Sequence, residues 1–303
     1  MRKGILIVFS LFVTGADAGE PAPLRQFKNV IVMIPDGCAN PLPAIARWCR
    51  GEANTLDGLL AGSVRTFMFD SVVTDSAAAG TALATGHKTS NGFVSVGPRS
   101  TPRLHVFEAP PNELQYRPLA TVLEGAKRRG KAVGLVVTCS VAHATPAAFA
   151  SHVHSRGLMN DIMEQLVYQD LDVVFGGGRN HLLPQGRGGV RPDGEDLRQV
   201  LRDRGYAWVE NREELGALAP PCRAWGIFAG DSLEPALNRP TTAPRQPTLA
   251  EMTAKAIEIL SRDPDGFFLM VEGSQVDWGC HANDPAYAVN EFIAFDEAVK
   301  AAL

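Results

Sequence analysis

Residues 72–86 read VVTDSAAAGTALATG, which places a polar Thr-Asp-Ser sequence directly before a run of small apolar residues. The alanines within 77–79 and 82–84 favour a helix, and Gly86 is typical of a helix end. Ser76 is therefore predicted to lie at or near a helix N-terminus, just after a short β-branched run at 72–74. Such a position attracts anions. The alternative interpretation is that Asp75 or Ser76 serves only as an N-cap.

Length and charge limit the classes of function. The chain has 303 residues and a net charge of −4, so it is long enough for one large domain or two smaller ones. It has no strong basic excess and no long run of like charge. We therefore expect no binding of nucleic acid.

The first 18 residues predict a secretory signal peptide. Arg2 and Lys3 precede an apolar stretch at 4–13, and the small-x-small sequence Ala-Asp-Ala follows at 16–18. The apolar stretch is short for a membrane span, although an uncleaved anchor is the weaker alternative. We expect an exported protein, periplasmic or extracellular, with no membrane span after cleavage and with a mature domain over residues 19–303. Five cysteines leave at least one thiol unpaired within a monomer, and their pairing stays open.

Short apolar runs alternate with helical patterns along the rest of the chain. Buried strands are predicted at 29–35, 132–138, 171–175 and 267–272. Helices are predicted after 119, from the Thr248/Glu251 capping box and from Asp284-Pro285. This alternation indicates an α/β fold with a largely parallel sheet. The Pro- and Gly-rich stretches 97–117 and 220–247 are predicted loops, and Gly-Gly-Gly at 176–178 is predicted to be a tight turn, because it lacks the GK[ST] of a nucleotide loop.

Metal-ligand residue types follow the predicted strands. They are Asp36 after the first strand, His143 and Thr145 after the second, and Glu272, Asp277 and His281 at and beyond the last. Their oxygen and imidazole groups suit zinc or magnesium, and ligands gather at the carboxyl ends of strands in such sheets. Each residue also has a simpler interpretation: Asp-Gly as a turn, His143 as a hydrogen-bonded histidine, Asp277 and His281 as a chance pair four residues apart.

Arg156, in the sequence SHVHSR, is the remaining candidate. Its guanidinium is a planar fork that matches the oxygens of phosphate. An ordinary surface arginine is the alternative.

The motifs together resemble the alkaline phosphatase family. The matching stretches are IPDG, VTDSAAAGTALATGHKTSNG, HATPAAF, HVHSR, VFGGGR and VEGSQVDWGCHAND, and they span almost the whole chain after the signal. The resemblance implies a three-layer α/β sandwich with a largely parallel central sheet. It also implies hydrolysis of small-molecule phosphate monoesters through a phosphoserine, with two zinc ions and one magnesium ion, and suggests a homodimer.

The resemblance assigns a role to each candidate. Ser76 matches the phosphorylated serine, which is also a metal ligand, and Arg156 matches the arginine that holds phosphate, steadied by Asp75. Asp36 matches a carboxylate that bridges a zinc and the magnesium. The remaining ligands are His143, Thr145 and Glu272 at the third metal and Asp277 and His281 at the other zinc. Some family members carry aspartate in place of His143; because imidazole suits zinc or cobalt better than magnesium, the identity of the third metal stays open.

One part of the family pattern has no match here. Family members continue beyond the position of Leu303 with an Asp-His pair and a further histidine that complete the zinc sites, and no Asp-His dipeptide occurs in this sequence. We expect the sequence to be part of a longer protein; a truncated product that binds metal weakly is the alternative. The competing functions are a phosphodiesterase or sulfatase of the same superfamily, and an inactive remnant that binds metal or phosphate.

Overall fold

The computed structural model describes residues 6–7, 27–99 and 112–303. Of the predicted signal peptide, only Leu6–Ile7 lie among these residues, and the predicted cleavage site lies outside them. Most of the predicted loop at 97–117 also lies outside the described residues.

A parallel β-sheet forms the centre of the molecule. The strands, in chain order, are β1 (Leu6–Ile7), β2 (Val30–Pro35), β3 (Ala132–Ser140), β4 (Val173–Gly177), β5 (Ala207–Val209), β6 (Ala224–Ile227) and β7 (Phe267–Gly273). Their spatial order is β1-β2-β7-β3-β4-β6-β5, and every neighbouring pair is parallel. The last strand along the chain therefore lies between β2 and β3, where it brings late sequence into the middle of the sheet.

Helices cover both faces of the sheet. They are α1 (Pro41–Arg50), α2 (Ser76–Thr85), α3 (Val122–Arg128), α4 (Ala144–Ala150), α5 (Met159–Tyr168), α6 (Leu197–Asp203), α7 (Arg212–Ala217), α8 (Arg239–Thr242), α9 (Leu249–Leu260), α10 (Gln275–His281) and α11 (Pro285–Ala302). On β7, Phe268 and Met270 pack into the core shared with α2 to α6, whereas Leu269 and Val271 pack into the core shared with α7, α9 and α11. This alternation confirms the three-layer sandwich.

The four predicted strands are confirmed, with shifted ends. β3 extends to Ser140, and β4 runs to Gly177, so the prediction of a tight turn at 176–178 is wrong for its first two residues. A Cβ on Gly177 would lie 1.8 Å from the Asp231 carbonyl oxygen, so the glycine permits a close approach rather than a turn.

The prediction that residues 220–247 form a loop is wrong for two segments of this stretch. The stretch contains β6, which is buried along its whole length, and the short helix α8. β6 has four residues and β5 three, too few to show a period among the surrounding Pro and Gly residues.

The predicted helix starts are confirmed by their caps. The Asp75 carboxylate accepts a hydrogen bond from the Ala78 N–H, Thr248 and Glu251 form a capping box, and Asp284 caps α11. Gly86 ends α2 in the left-handed conformation. Within the described residues, no helix combines the length and apolar content that a bilayer span requires.

An ion pair fixes α3 against the turn that follows α4. The His152 ring places Nε2 at 2.9 Å from a Glu124 carboxylate oxygen and Nδ1 at 2.8 Å from the Ser95 carbonyl oxygen. Both nitrogens face acceptors, an arrangement that the doubly protonated ring satisfies fully. The hydrogen bond from His152 accordingly lowers the pKa of Glu124 to about 2 against its burial, while the Glu124 and Ser95 contacts raise the pKa of His152 against its own burial.

We predict a pH-dependent loss of stability in Glu124→Gln. The pair contributes fully below the ordinary His pKa, about 6.5, and above the ordinary Glu pKa, about 4.3. Its contribution falls as pH rises through the raised pKa of His152. Urea unfolding should show a loss of about 1 to 2 kcal/mol at pH 6 and a smaller loss at pH 9. His152→Gln is the matched control and should show the same trend; equal losses at both pH values would contradict the assignment.

Candidate active site

Three neighbouring strands bring the acidic candidates to one edge of the sheet. β7 pairs with β2 and with β3, and Glu272 lies opposite Ile34 on one side and Val137 on the other. Asp36 follows β2 directly, and its N–H donates to the Gly273 carbonyl oxygen at 3.2 Å. Asp36 and Glu272, far apart in sequence, therefore meet at the carboxyl ends of adjacent strands, as the sequence predicts.

Ser76 lies at the first position of α2 and points at this edge. Its hydroxyl donates a hydrogen bond to Asp36 Oδ2 at 2.9 Å. α2 is held in place by close packing on α4, since a Cβ on Gly80 would lie 3.1 Å from the Ala148 side chain. The small residues after Ser76 therefore do more than favour a helix: they let α2 approach α4, which carries Thr145.

Asp75 has two roles at once. One carboxylate oxygen caps α2 through the Ala78 N–H at 3.1 Å, and the other lies 3.3 Å from Arg156 Nη1. That second oxygen also accepts from the Gly92 N–H at 3.2 Å. The N-cap interpretation is confirmed, and the same carboxylate also lies beside Arg156 at the start of α2.

His143 lies next to Arg156 and is neutral. Its Nε2 is 3.4 Å from Arg156 Nη2, and the Trp278 ring packs edge-on against it at 5.8 Å between ring centres. Burial and the Arg156 charge lower the pKa of His143 to about 4. A neutral imidazole is the form that binds a metal ion.

Both carboxylates have a raised pKa. Burial raises the pKa of Glu272 to about 8, and the charge of Asp36 adds to it. Burial and the charge of Asp277 raise the pKa of Asp36 to about 6, against the hydrogen bond from Ser76. The Glu272 carboxylate accepts from the Ser274 hydroxyl at 2.6 Å, but no Lys or Arg is paired with it among the described residues.

Several polar atoms at this edge are buried and lack a hydrogen-bond partner in the described part of the chain: His143 Nδ1, Thr145 Oγ1 and Glu272 Oε1. The Thr145 hydroxyl is near enough to lower the pKa of Glu272 without reaching hydrogen-bonding geometry. Buried groups of this kind normally have partners. Oxygen donors beside two repelling carboxylates fit a divalent cation, which would supply the missing partner and the missing charge.

Asp277 and His281 face the same edge from α10, one turn apart. Asp277 Oδ1 lies 3.4 Å from His281 Nε2, and the His281 side chain is 79% exposed. Asp277 contacts the turn after β2, where a Cβ on Gly37 would lie 2.5 Å from Asp277 Oδ1 and 2.6 Å from its Cα. Gly37 has φ +66°, so both its conformation and its contact require glycine.

The candidate metal ligands at this sheet edge therefore lie close to one another in pairs. Among the described residues, no three of the acidic and imidazole candidates form a compact group. In the described residues, the one group of three acidic, imidazole or thiol ligands that lie within 4.8 Å of one another is Glu164, Asp193 and Glu195. Arg191 lies among these carboxylates and pairs with all three, so their charge is already compensated.

Sequence reasoning missed two residues beside His143. Trp278 packs on its ring, and the charge of Asp231 acts on its pKa. Asp231 follows the unpredicted strand β6, so identifying that strand would have placed an acidic residue at the same sheet edge.

Known proteins match this chain over most of its length. The family model described as "Alkaline phosphatase" matches residues 27–303. Alkaline phosphatase 3 of Bacillus subtilis (strain 168) is 36% identical over 98% of this chain and 63% of its own length. The chain thus spans less than two thirds of that relative.

Solved structures match as well. The alkaline phosphatase of Thermus thermophilus superposes with a TM-score of 0.80 at 31% identity, over 96% of this chain and 60% of the other. A variant of the alkaline phosphatase from the Antarctic bacterium TAB5, with a histidine replaced by glutamate and Mg bound in its M3 site, superposes with a TM-score of 0.77 at 28% identity, over 91% and 72% of the two chains.

We predict that Gly37→Ala lowers the free energy of unfolding by more than the replacement of a glycine in the left-handed conformation alone would. Gly51 is the matched control, because it has φ +72° and nothing within 4 Å of an added Cβ. Gly51→Ala should lose about 1 kcal/mol of unfolding free energy, and Gly37→Ala about 2 to 4 kcal/mol because Asp277 must move. Urea unfolding of both variants measures the difference; equal losses would contradict the contact with Asp277.

Proposed function

The chain belongs to the alkaline phosphatase family, and from that premise we propose that it hydrolyses phosphate monoesters with Ser76 as the nucleophile. The observation that carries the proposal is the hydrogen bond of 2.9 Å from Ser76 Oγ to Asp36 at the N-terminus of α2. It combines a nucleophile, an orienting carboxylate and an anion-binding helix end in one place. The products are the free alcohol and inorganic phosphate.

Metal ions are part of the proposal. Asp36, His143, Thr145 and Glu272 would hold one cation, Asp277 and His281 would contribute to a zinc site, and Asp36 and Ser76 to a second. Zinc is proposed for these two sites and magnesium for the first, where the imidazole of His143 also suits zinc or cobalt. The magnesium reported in the M3 site of the TAB5 variant supports a third cation site. Bound cations would lower the pKa of the serine hydroxyl and neutralise charge on the phosphoryl group.

The protein's own residues bind and orient the phosphate. Arg156 offers its two Nη groups to phosphoryl oxygens, and the Asp75 carboxylate at 3.3 Å limits the movement of the guanidinium. The first turn of α2 adds N–H groups that have no acceptor within the helix. Together they place the phosphorus atom next to Ser76.

Ser76 then attacks. Asp36 Oδ2 holds the hydroxyl proton, which leaves the lone pairs of Oγ free to face phosphorus. The bond from Ser76 Oγ to phosphorus forms as the bond to the ester oxygen breaks in line; the serine proton passes to Asp36 Oδ2, and the departing oxygen takes a proton from solvent and leaves as the alcohol. Water then attacks the phosphoserine from the side that the alcohol left and gives one proton to solvent; the released serine oxygen takes its proton back from Asp36, and inorganic phosphate leaves.

The remaining proposals concern the setting of the reaction. Residues 19–303 would form one catalytic domain, which acts after export on small-molecule phosphate monoesters in the periplasm or outside the cell. The signal pattern in residues 1–18 supports export. The family resemblance supports a homodimer.

We predict that Ser76→Ala abolishes turnover of p-nitrophenyl phosphate, by about 10³-fold or more, and abolishes any burst of product. The assay uses the protein purified at its natural length and supplied with zinc and magnesium. Thr85→Ala, at the other end of α2, is the control and should keep its activity. Equal activity of Ser76→Ala and the wild type would rule out the serine role.

The same assay distinguishes the alternative functions. Faster turnover of the p-nitrophenyl phosphodiester or sulfate than of the monoester would favour the diesterase or sulfatase. Binding of phosphate without hydrolysis, with metals supplied, would indicate the inactive remnant. Either result would contradict the proposal.

A second prediction concerns Arg156. Arg156→Ala should raise the inhibition constant for inorganic phosphate about 10- to 100-fold, since it removes a charged fork of donors. The inhibition constant of Arg156→Lys should lie between those of the wild type and Arg156→Ala, because lysine keeps the charge but lacks the planar pair of donors. Arg187→Ala is the control, with its side chain 73% exposed and a weak ion pair at 3.9 Å. An unchanged inhibition constant in Arg156→Ala would contradict phosphate binding by this residue.

A further inference from the structure

Two of the five cysteines flank the candidate active site. Cys38 follows Gly37 in the turn after β2, and Cys280 precedes His281 at the end of α10. Both are free thiols in the structure, Cys38 half-buried and Cys280 exposed. Neither has a role in the proposed hydrolysis.

The backbone contact between these two segments is tight. A Cβ on Gly37 would lie 2.6 Å from the Asp277 Cα, so the turn after β2 lies directly against the first turn of α10. Cys280 comes three residues after Asp277, and residues three apart share one side of a helix. Cys280 therefore lies on the side of α10 that faces this turn.

Cys38 and α10 also share one apolar cluster. Cys38 packs against a small apolar cluster that includes Val276 from α10. Val276 and Cys280 are four residues apart, again on one side of the helix. The two thiols are also near enough to each other to interact electrostatically.

Two other cysteines have different neighbours. Cys139 is fully buried beside Glu272, and Cys222 lies near Lys255 and Glu258. The Cys38 sulfur has only a long contact, at 3.9 Å, with the Ala39 carbonyl oxygen. Cys38 is thus free to take a covalent partner without breaking a stronger hydrogen bond of its own.

We propose that Cys38 and Cys280 form a disulfide under oxidising conditions, and that this bond fixes α10, with Asp277 and His281, against the turn that carries Asp36. The bond would join segments from opposite ends of the described chain. It would hold the carboxylates of Asp36 and Asp277 together despite their mutual repulsion, before any cation binds.

The oxidant is a second disulfide, such as oxidised glutathione or the disulfide form of an exported oxidoreductase. The exposed Cys280 attacks a sulfur of that disulfide as its thiolate, forms a mixed disulfide and releases one thiol. Cys38 then attacks the Cys280 sulfur and releases the second thiol. Two protons and two electrons leave the protein, and the oxidant is reduced to two thiols.

The experiment uses the full chain, equilibrated with oxidised and reduced glutathione, alkylated and digested with trypsin without reduction. Cleavage after Lys and Arg places each cysteine in its own peptide, with Cys38 in 29–47 and Cys280 in 263–300. We expect the cross-linked pair 29–47/263–300. We also expect reduction to lower the melting temperature of the wild type by about 5 °C or more.

Cysteine variants test whether the effect of reduction on the melting temperature comes from the bond between Cys38 and Cys280. The melting temperature of the double variant Cys38→Ser/Cys280→Ser should not respond to reduction, whereas Cys222→Ser should respond like the wild type. Alkylation of both Cys38 and Cys280 across all glutathione ratios would overturn the proposal, and so would pairing of either one with a different cysteine. These measurements require no catalysis. The disulfide proposal therefore stands if the proposed hydrolysis fails, and the proposed hydrolysis stands if the disulfide does not form.

Discussion

The buried carboxylate of Glu272, held close to Asp36 at the carboxyl edge of the sheet, is the constraint on which the site depends. Burial of a carboxylate without a cationic partner is costly, and the pKa of about 8 for Glu272 expresses that cost. The chain places nearby the unpartnered oxygens of Thr145 and Glu272 and the ring nitrogen of a neutral His143. The divalent cation proposed for this site would satisfy all of these groups together, and Ser76 is hydrogen-bonded to the Asp36 carboxylate that would share it.

The order of the strands in the sheet brings Glu272 close to Asp36. Because β7 inserts between β2 and β3, residues near positions 36, 140 and 272 end at one edge although the chain separates them widely. α2 then reaches that edge because its alanines and Gly80 allow close packing on α4. Asp75 links α2 to Arg156. One oxygen of its carboxylate caps the N-terminus of α2, and the other contacts the Arg156 guanidinium. The arrangement of the proposed nucleophile, the N-terminus of α2 and Arg156 therefore depends on the single carboxylate of Asp75.

The positions of the candidate residues follow from the sequence more directly than the strands at the edge of the sheet do. Ser76, Asp36 and Glu272 follow from residue types at strand ends and from the cap before an alanine run. β5 and β6 are too short to show a period, and Asp231 was missed with β6. The separations of the ligand groups depend on tertiary contacts such as that between Gly37 and Asp277, which no local pattern encodes.

The most direct test is the melting temperature of the wild type and of Glu272→Gln at pH 9, with and without zinc and magnesium. Above the raised pKa of about 8 the Glu272 carboxylate is charged, so its burial cost is fully present. The account predicts that Glu272→Gln is the more stable protein without metal, and that added cations stabilise the wild type far more than the variant. Equal responses of the two proteins to metal, or a less stable variant in its absence, would contradict it.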